Sequence, residues 1–302
     1  MTDVKEGYIP VEDGRIWYRI VGTDNPGVPL LCLHGGPGAA HDYLETLEDF
    51  SFERPVIFYD QMGCGNSERP LDPEHWQIEK FVGELEQVRE ALGLSRVHLL
   101  GQSWGTILAI EYYFTGNPEG VVSIVQSGPV MSFRIFMEDQ KKALSMMTRE
   151  QQKIISETEA RGDFENPEYQ DVMMIFYKEH VCRLDQWPDC LNRTFEKIEH
   201  GVYEYMQGPS EFTVTGTLMD YDRLDDLKDI SVPVLYTCGE FDECTPNATE
   251  LFHRLTPGSE CIVFKDASHE HHLEKREEYL GKVGDFIRRA ESGQRNIQNS
   301  FN

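Results

Sequence analysis

The chain has 302 residues, of which 39% are hydrophobic and 11% are aromatic, so it can bury a sizeable core. Its 53 acidic residues outnumber its 28 basic residues and give a formal net charge of −25 at pH 7. This negative charge repels phosphate backbones, which argues against nucleic-acid binding, and no run of 18 apolar residues predicts a membrane span.

Seven cysteines are scattered along the sequence, and no two of them form a CxxC pair. Their spacing does not match a zinc site, so we expect reduced thiols in a cytoplasmic protein and no bound metal. The first residues contain no apolar stretch typical of a secretory signal, which favours the same location.

The N-terminal part alternates short apolar runs with helical patterns. Residues 8–11 and 16–21 are predicted to pair as a hairpin with its turn at Asp13-Gly14, because this dipeptide suits tight turns. Further apolar runs predict buried strands at residues 29–33, 56–59, 97–100 and 121–125. Between them, helical spacing predicts helices at residues 81–92 and 106–114.

This alternation breaks at residues 127–129 and resumes near the C-terminus. From about residue 131 to residue 216 the patterns are helical and rich in methionine and aromatic residues. Strands are then predicted at residues 232–238 and 261–264, and helices at 248–255 and 279–287.

Short apolar strands that alternate with helices predict an α/β fold, with a mostly parallel central sheet flanked by helices. The helical stretch at residues 131–217 predicts an inserted cap between two parts of the sheet domain, residues 1–130 and 218–302. The polar residues after Arg289 are expected to fray.

A sharp turn is predicted at Gly101-Gln-Ser-Trp-Gly105, between an apolar strand and a helix. This is the setting in which a G-x-S-x-G motif presents its serine hydroxyl at the carboxyl edge of a sheet. The helix that follows favours negative charge beside the serine. We therefore expect Ser103 to be a nucleophile.

A serine nucleophile needs a base, and on such a sheet the acid and the histidine follow it in loops after later strands. The loop at residues 239–243 offers Asp242, and the loop at residues 265–269 offers His269. We expect His269 to take the serine proton and Asp242 to orient the imidazole. His271 remains an alternative base, and the alternative acids are Glu240, Glu243 and Asp266.

The oxyanion that forms on an attacked carbonyl needs two backbone N–H donors. We expect Trp104, directly after the serine, to supply one of them. The other is expected from the glycine loop His34-Gly-Gly-Pro-Gly38, where Gly36 is the best candidate because missing side chains allow close approach. This loop lacks the G-x-G-x-x-G spacing and the lysine of a phosphate-binding loop, which disfavours a nucleotide site.

Four motifs occur in one sequence, namely His34-Gly-Gly-Pro-Gly38, Asp60-Gln-Met-Gly-Cys-Gly65 with Ser67, Gly101-Gln-Ser-Trp-Gly105 and Gly239-Glu-Phe-Asp-Glu-Cys-Thr-Pro246. Together they resemble the proline iminopeptidase family, whose members are α/β-hydrolase-fold serine peptidases with a helical cap. The resemblance covers nearly the whole chain, and the H-G-G-P-G loop is its most specific element.

The likeness is strongest to the tricorn-interacting aminopeptidase branch, and it extends through residues 208–216 and 266–269. In that branch, acidic residues in the cap and beside the triad acid hold the free N-terminal ammonium of the substrate. The matching positions are Glu211 and Glu243. Such anchoring makes chemical sense, because an exopeptidase must hold an amine at a fixed distance from the scissile carbonyl. Gln102 departs from the family, whose members often carry a small residue there.

The resemblance implies a serine hydrolase that releases N-terminal proline or other apolar residues from short peptides or amino-acid amides through an acyl-enzyme. It implies no cofactor, because the triad and the oxyanion donors supply the whole mechanism. The same triad suits an esterase, lactonase or amidase that acts on a small molecule without a free α-amine. A hydrolase-fold receptor with little turnover is a third alternative. No feature of the sequence predicts an oligomeric state.

Overall fold

The computed structural model describes residues 3–12, 14–70 and 73–293. Asp13, half of the predicted hairpin turn, lies outside the described residues, and so do residues 294–302, which include most of the tail that we expect to fray.

The described residues form one sheet of eight strands in the order β1-β2-β4-β3-β5-β6-β7-β8. Strand β2 pairs antiparallel with β1 and β4, and all other neighbours are parallel. The strands are β1 (Val4–Val11), β2 (Gly14–Val21), β3 (Leu30–Leu33), β4 (Val56–Tyr59), β5 (Val97–Gln102), β6 (Val121–Ser127), β7 (Val234–Gly239) and β8 (Glu260–Phe264). The predicted α/β fold with a mostly parallel sheet is therefore confirmed.

Helices connect most of the parallel strands and flank the sheet. The α-helices are α1 (Ile78–Ala91), α2 (Trp104–Thr115), α3 (Phe133–Met146), α4 (Arg149–Glu159), α5 (Pro167–His180), α6 (Asp189–Lys197), α7 (His200–Met206), α8 (Pro246–Leu255), α9 (His271–Glu274) and α10 (Arg276–Glu291). Among the residues that the structure describes, three further segments are 3-10 helices, at His41–Phe52, Pro73–His75 and Leu227–Asp229. In the described part of the chain, every helix is too short or too polar to cross a lipid bilayer.

The sheet is buried on both faces, because alternate residues of a strand point to opposite sides. In β3, Leu31 and Leu33 pack into a core with α1, α2 and α8. Their neighbours Leu30 and Cys32 pack into a second core with α10 and the segment His41–Phe52. Two covered faces explain why the central strands are apolar along their whole length.

The segment His41–Phe52 is helical although the sequence patterns above predict no element there. A tertiary contact explains its position, because the buried side chain of Asp42 is held by two cations of α6. Asp42 Oδ1 lies 3.0 Å from Arg193 Nε and 2.7 Å from Lys197 Nζ. Since both partners are about 150 positions away along the sequence, a local pattern does not reveal them.

Five α-helices, α3 to α7, and the 3-10 helix Leu227–Asp229 occupy the chain between β6 and β7. Ile155, Tyr169 and Met173 are buried in a small apolar core within this segment. Other side chains from it, including Phe136 and Met206, belong to the core that contains Leu31 and Leu33 on one face of the sheet. The stretch is therefore helical, as the composition predicts, and its boundary as a separate cap remains a prediction.

The carboxyl ends of the parallel strands lie at one edge of the sheet. The segments that directly follow β3, β5, β7 and β8 contain the glycine loop 34–38, Ser103, Asp242 and His269 respectively. Parallel α/β sheets bind their ligands at this edge. The fold thus brings together residues that are far apart in the sequence.

Burial of the central strands generates a stability prediction. Val125 in β6 is fully buried, whereas Val263 in the edge strand β8 is 38% exposed. We expect Val125→Ala to lower the free energy of unfolding by about 2–3 kcal/mol, because it removes buried methyl groups and leaves a cavity. The same substitution at Val263 should change it by less than about 0.5 kcal/mol. Urea unfolding monitored by circular dichroism measures both, and equal losses would contradict the assignment of the core.

Candidate active site

Ser103 lies in the turn between β5 and α2, with φ 55° and ψ −123°. A positive φ is uncommon for a residue with a Cβ, and here neighbouring backbone holds it in place. The N–H of Ser103 donates to the carbonyl of Ser127 at 3.0 Å, and the N–H of Thr106 donates to the carbonyl of Ser103 at 2.8 Å. A Cβ at Gly105 would lie 2.1 Å from the carbonyl oxygen of Leu33, so only glycine allows this close approach.

Asp242 and His269 form a buried hydrogen-bonded pair. His269 Nδ1 lies 2.7 Å from Asp242 Oδ1. The backbone N–H groups of Cys244 and Gly239 also donate to this carboxylate, at 2.8 Å and 3.2 Å. Because the carboxylate accepts at Nδ1, that nitrogen carries the proton, and Nε2 is left free to accept another.

The pKa of His269 reflects two opposing effects. Burial lowers the pKa of the imidazole, whereas the adjacent Asp242 charge raises it, and the balance lies well above the ordinary value. The Asp242 carboxylate thus stabilises the imidazolium that forms when Nε2 of His269 accepts a proton.

The alternative acids and the alternative base occupy different surroundings. Asp266 and Glu240 are exposed, and Glu240 Oε2 accepts the backbone N–H of Asp266 at 3.0 Å. His271 is fully buried, and its Nε2 lies 2.9 Å from the hydroxyls of both Ser127 and Thr237. Burial lowers the pKa of His271 to about 4. Asp242 thus forms a hydrogen bond of 2.7 Å with His269, whereas His271 Nδ1 lies 3.7 Å from the same carboxylate.

One cavity of about 300 Å³ opens at the carboxyl edge of the sheet. Its lining includes six of the seven predicted site residues, namely Gly36, Ser103, Trp104, Glu211, Glu243 and His269. Asp242 lies behind His269 and completes the set. In the described structure no hydrogen bond joins the hydroxyl of Ser103 to His269, and in many hydrolases this contact tightens only when substrate is bound.

The two residues expected to supply the oxyanion donors, Gly36 and Trp104, both line this cavity. Trp104 is the first residue of α2, where backbone N–H groups have no partner within the helix. Gly36 has φ +106°, and a Cβ there would lie 2.6 Å from the backbone nitrogens of Gly38 and Ala39. Glycine is therefore required at this point of the loop.

Glu211 is held by two donors that the sequence patterns did not single out. Tyr203 Oη donates to Glu211 Oε1 at 2.5 Å, and Gln207 Nε2 donates to Oε2 at 2.7 Å. Burial raises the pKa of Glu211, while these hydrogen bonds lower it. The spacing of Tyr203 and Gln207, four residues apart, places them on one side of α7 and its C-terminal end. That spacing does not reveal that residue 211 folds back onto them.

The loop that contains Glu211 is itself anchored by Glu159 at the end of α4. Tyr169 Oη donates to Glu159 Oε1 at 3.0 Å, and Ser210 Oγ donates to the same oxygen at 2.6 Å. The hydroxyl of Thr213 donates to Oε2. Two hydroxyl donors, on Ser210 and Thr213, thus hold the segment to Glu159 on both sides of Glu211, while Tyr169 donates to Glu159 from α5.

Glu243 differs from Glu211 because part of its carboxylate has no partner. Its Oε2 is buried without a hydrogen bond, and its Oε1 lies 3.7 Å from His269 Nε2. Burial and the nearby charge of Glu211 raise the pKa of Glu243 well above its ordinary value. An unpaired buried carboxylate oxygen is costly, so a cationic group in the cavity would stabilise this arrangement.

Among the described residues, one group of side chains brings potential metal ligands within 4.8 Å of one another, namely Asp242, Cys244 and His269. A tetrahedral zinc ion separates its nitrogen and oxygen ligands by about 3.3 Å. Here the corresponding atoms of His269 and Asp242 lie 2.7 Å apart and are hydrogen-bonded to each other. A metal would have to break that bond, and the expectation of a metal-free site stays a prediction.

Comparison with known proteins places most of the chain among α/β-hydrolase-fold proteins. A model of the α/β-hydrolase fold matches residues 28–276. The proline iminopeptidase of Heyndrickxia coagulans is 42% identical over 283 residues, which cover 93% of this chain and 98% of the relative. The match agrees with the resemblance drawn from the four motifs.

Two solved structures are similar over nearly the full length. The crystal structure of a proline iminopeptidase from Mycobacterium smegmatis aligns with a TM-score of 0.88 at 34% identity, covering 96% of this chain and 99% of that chain. The crystal structure of VinJ aligns with a TM-score of 0.90 at 32% identity, covering 94% of this chain and 98% of its own. These two alignments therefore include the sheet as well as helices between β6 and β7.

The Asp242–His269 pair generates a prediction about titration. We expect Asp242→Asn to lower the pKa of His269, because burial then acts without the compensating charge. Histidine NMR titration measures this, with His269 identified by its absence from the spectrum of His269→Gln. Asp266→Asn is the matched control, since Asp266 is exposed and should leave the titration unchanged. An equal shift in both variants would contradict the pairing.

Proposed function

This chain belongs to the proline iminopeptidase family of α/β-hydrolase-fold proteins, and from that premise we propose that it is a serine aminopeptidase. It releases N-terminal proline, or another apolar residue, from short peptides or amino-acid amides. The observation that carries the proposal is the composition of a single cavity, which combines Ser103, His269 and the two carboxylates of Glu211 and Glu243.

In the proposed reaction, the hydroxyl oxygen of Ser103 attacks the scissile carbonyl while its proton passes to Nε2 of His269. The carbonyl oxygen becomes an oxyanion, which the backbone N–H groups of Gly36 and Trp104 stabilise. His269 then gives the proton to the leaving amine as the C–N bond breaks. Water, deprotonated by His269, hydrolyses the acyl-enzyme and regenerates Ser103.

The free amine of the substrate is held by Glu211 and Glu243. Among the described residues that line the cavity, four are glutamates and none is lysine or arginine, so its charge favours a cationic ligand. Glu211 is already oriented by two donors, whereas Glu243 has an open oxygen for an ammonium hydrogen. A charge-assisted contact to both would fix the distance from the amine to the scissile carbonyl.

The segment 131–217 is proposed to act as a helical cap that reads the N-terminal side chain. It contributes aromatic and aliphatic side chains to the cavity, including Phe133, Phe136, Met173, Tyr177, Leu191 and Phe195. Such a surface suits a pyrrolidine ring or a similar apolar side chain. We further propose a cytoplasmic location, in keeping with the unpaired cysteines.

Removal of the nucleophile tests the proposed chemistry. Ser103→Ala should lower kcat/KM for a prolyl arylamide by at least about 10⁴-fold, because no acyl-enzyme can form. Its urea unfolding curve should match that of the unmodified protein. Ser156→Ala, on the exposed face of α4, is the matched control and should retain full activity. Turnover by Ser103→Ala in a preparation free of other peptidases would refute the role of this serine.

Substrates with and without a free amine test the proposed specificity. Prolyl, alanyl, leucyl and phenylalanyl arylamides should be cleaved, and their N-acetylated forms should not. Glu211→Gln should lower kcat/KM for the free-amine substrates by about 10- to 100-fold, since it removes one charge-assisted contact. It should change hydrolysis of p-nitrophenyl acetate less than about two-fold.

Glu204→Gln provides the control for this variant, because Glu204 is exposed on the same helix as Tyr203 and does not line the cavity. Equal losses on amine substrates and on the ester would remove the anchoring role of Glu211. Ester turnover without arylamide cleavage would favour a small-molecule esterase, lactonase or amidase instead.

A further inference from the structure

The two proposed oxyanion donors come from different segments of the chain, and the sheet alone does not set their spacing. Gly36 follows β3 and Trp104 follows β5. These strands are neighbours, but their paired register ends at Leu33 and Gly101, before either donor is reached. Some other contact must therefore hold the glycine loop 34–38 against the turn that contains Ser103.

Gln61 forms the first such contact. Its side-chain Nε2 donates to the carbonyl of His34 at 2.9 Å, and its Oε1 accepts the indole N–H of Trp104 at 2.8 Å. All three residues are buried, with exposures of 0%, 0% and 2% for Gln61, His34 and Trp104. One amide thus joins the start of the glycine loop to the residue that supplies the other donor.

The backbone of Gln61 strengthens this bridge by orienting His34. The N–H of Gln61 donates to His34 Nε2 at 3.0 Å, so Nε2 carries no proton and Nδ1 does. Nδ1 then donates to the carbonyl of Gly35 at 3.0 Å. Burial lowers the pKa of His34, which keeps the imidazole neutral and the tautomer fixed.

Tyr43 forms a second bridge from the opposite side. Its hydroxyl accepts the N–H of Gly35 at 2.7 Å and donates to Gln102 Oε1 at 2.6 Å. Gln102 directly precedes Ser103, and Gly35 directly precedes Gly36. The two segments lie so close that a Cβ at Gly35 would be 2.7 Å from Gln102 Oε1.

The two bridging residues are themselves joined by Asp60. Its Oδ1 accepts the backbone N–H of His41 at 2.9 Å and lies 2.8 Å from His41 Nδ1. Asp60 directly precedes Gln61, and His41 begins the short helix that carries Tyr43. The motif Asp60-Gln-Met-Gly-Cys-Gly65, to which the proposed mechanism gives no role, thus supports both bridges.

We propose that Gln61 and Tyr43 are positioning residues that hold the two oxyanion donors at the spacing an oxyanion requires. This inference rests on the proposed function, in which Gly36 and Trp104 stabilise the tetrahedral intermediate. If a bridge breaks, buried polar groups lose their partners and the glycine loop can shift relative to the turn. A misplacement of about 1 Å at a reacting group costs about 100-fold in rate.

The test uses Tyr43→Phe, which removes one hydroxyl, and Gln61→Glu, which keeps the acceptor for Trp104 and loses the donor to His34. We expect each variant to lower kcat for a prolyl arylamide and for p-nitrophenyl acetate by about 10- to 100-fold, with KM changed less than about two-fold. The inhibition constant of pyrrolidine-2-boronic acid, which forms a tetrahedral serine adduct, should rise by a similar factor. That of L-proline should change less than about two-fold.

Tyr236→Phe is the matched control, because Tyr236 is also a buried tyrosine whose hydroxyl has a protein partner, Thr256 at 2.8 Å. It should lose comparable stability and keep full kcat. The proposal is overturned if Tyr43→Phe keeps full kcat, or if boronate and L-proline weaken equally. If Gln61→Glu does not fold, Tyr43→Phe alone decides the outcome.

Failure of this inference is distinguishable from failure of the proposed function. The oxyanion donors act on any attacked carbonyl, so the ester assay tests the bridges even if no prolyl arylamide is cleaved. Loss of the aminopeptidase assignment would appear in the unmodified protein as absent arylamide turnover. Loss of the bridging role would appear only in the variants, as an unchanged kcat.

Discussion

The hydrogen bond between Asp242 and His269 is the contact around which the rest of the candidate site is organised. A buried carboxylate is costly unless several donors satisfy it. Asp242 meets this condition because the N–H groups of Gly239 and Cys244 also donate to it. The turn after β7 is therefore built around one negative charge. That charge in turn fixes the tautomer of an imidazole which burial alone would keep neutral.

Two other carboxylates of the cavity, those of Glu211 and Glu243, differ in how the surrounding residues hold them. Glu211 is preorganised by Tyr203 and Gln207, so its position does not require a ligand. Glu243 lies 3.7 Å from His269 Nε2 and keeps one oxygen unpaired. Burial raises the pKa of both carboxyl groups, so a cationic ligand in the cavity would stabilise their charged forms. Some acidic side chains of this chain therefore lie in the cavity, where the low dielectric constant strengthens each electrostatic contact.

The parallel sheet accounts for the approximate placement of the site but not for its fine geometry. Strand pairing aligns β3 with β5 only as far as Leu33 and Gly101. Beyond that point the contacts are made by side chains, and Gln61 and Tyr43 connect the glycine loop to the turn that contains Ser103. Backbone hydrogen bonds between neighbouring strands set the positions of the strands in the sheet. Loops at the edge of the sheet need buried hydrogen bonds of their own.

Local patterns predict the strands, the mostly parallel sheet and the sharp turn at Ser103 that the structure shows. The roles of Asp242 and His269 as acid and base stay a prediction. Local patterns act through short-range effects, since burial on two faces demands apolar runs and a sharp turn demands glycine. The same patterns left His269 and His271 as rivals, although only packing separates them: one pairs with Asp242, while the other bonds to Ser127 and Thr237. The partners of Glu211 and the bridges through Gln61 and Tyr43 had no local signal. Each of these contacts joins segments that are distant in the sequence, or a segment that folds back on itself. The distance between such segments is set by tertiary packing, and no single stretch of residues encodes it.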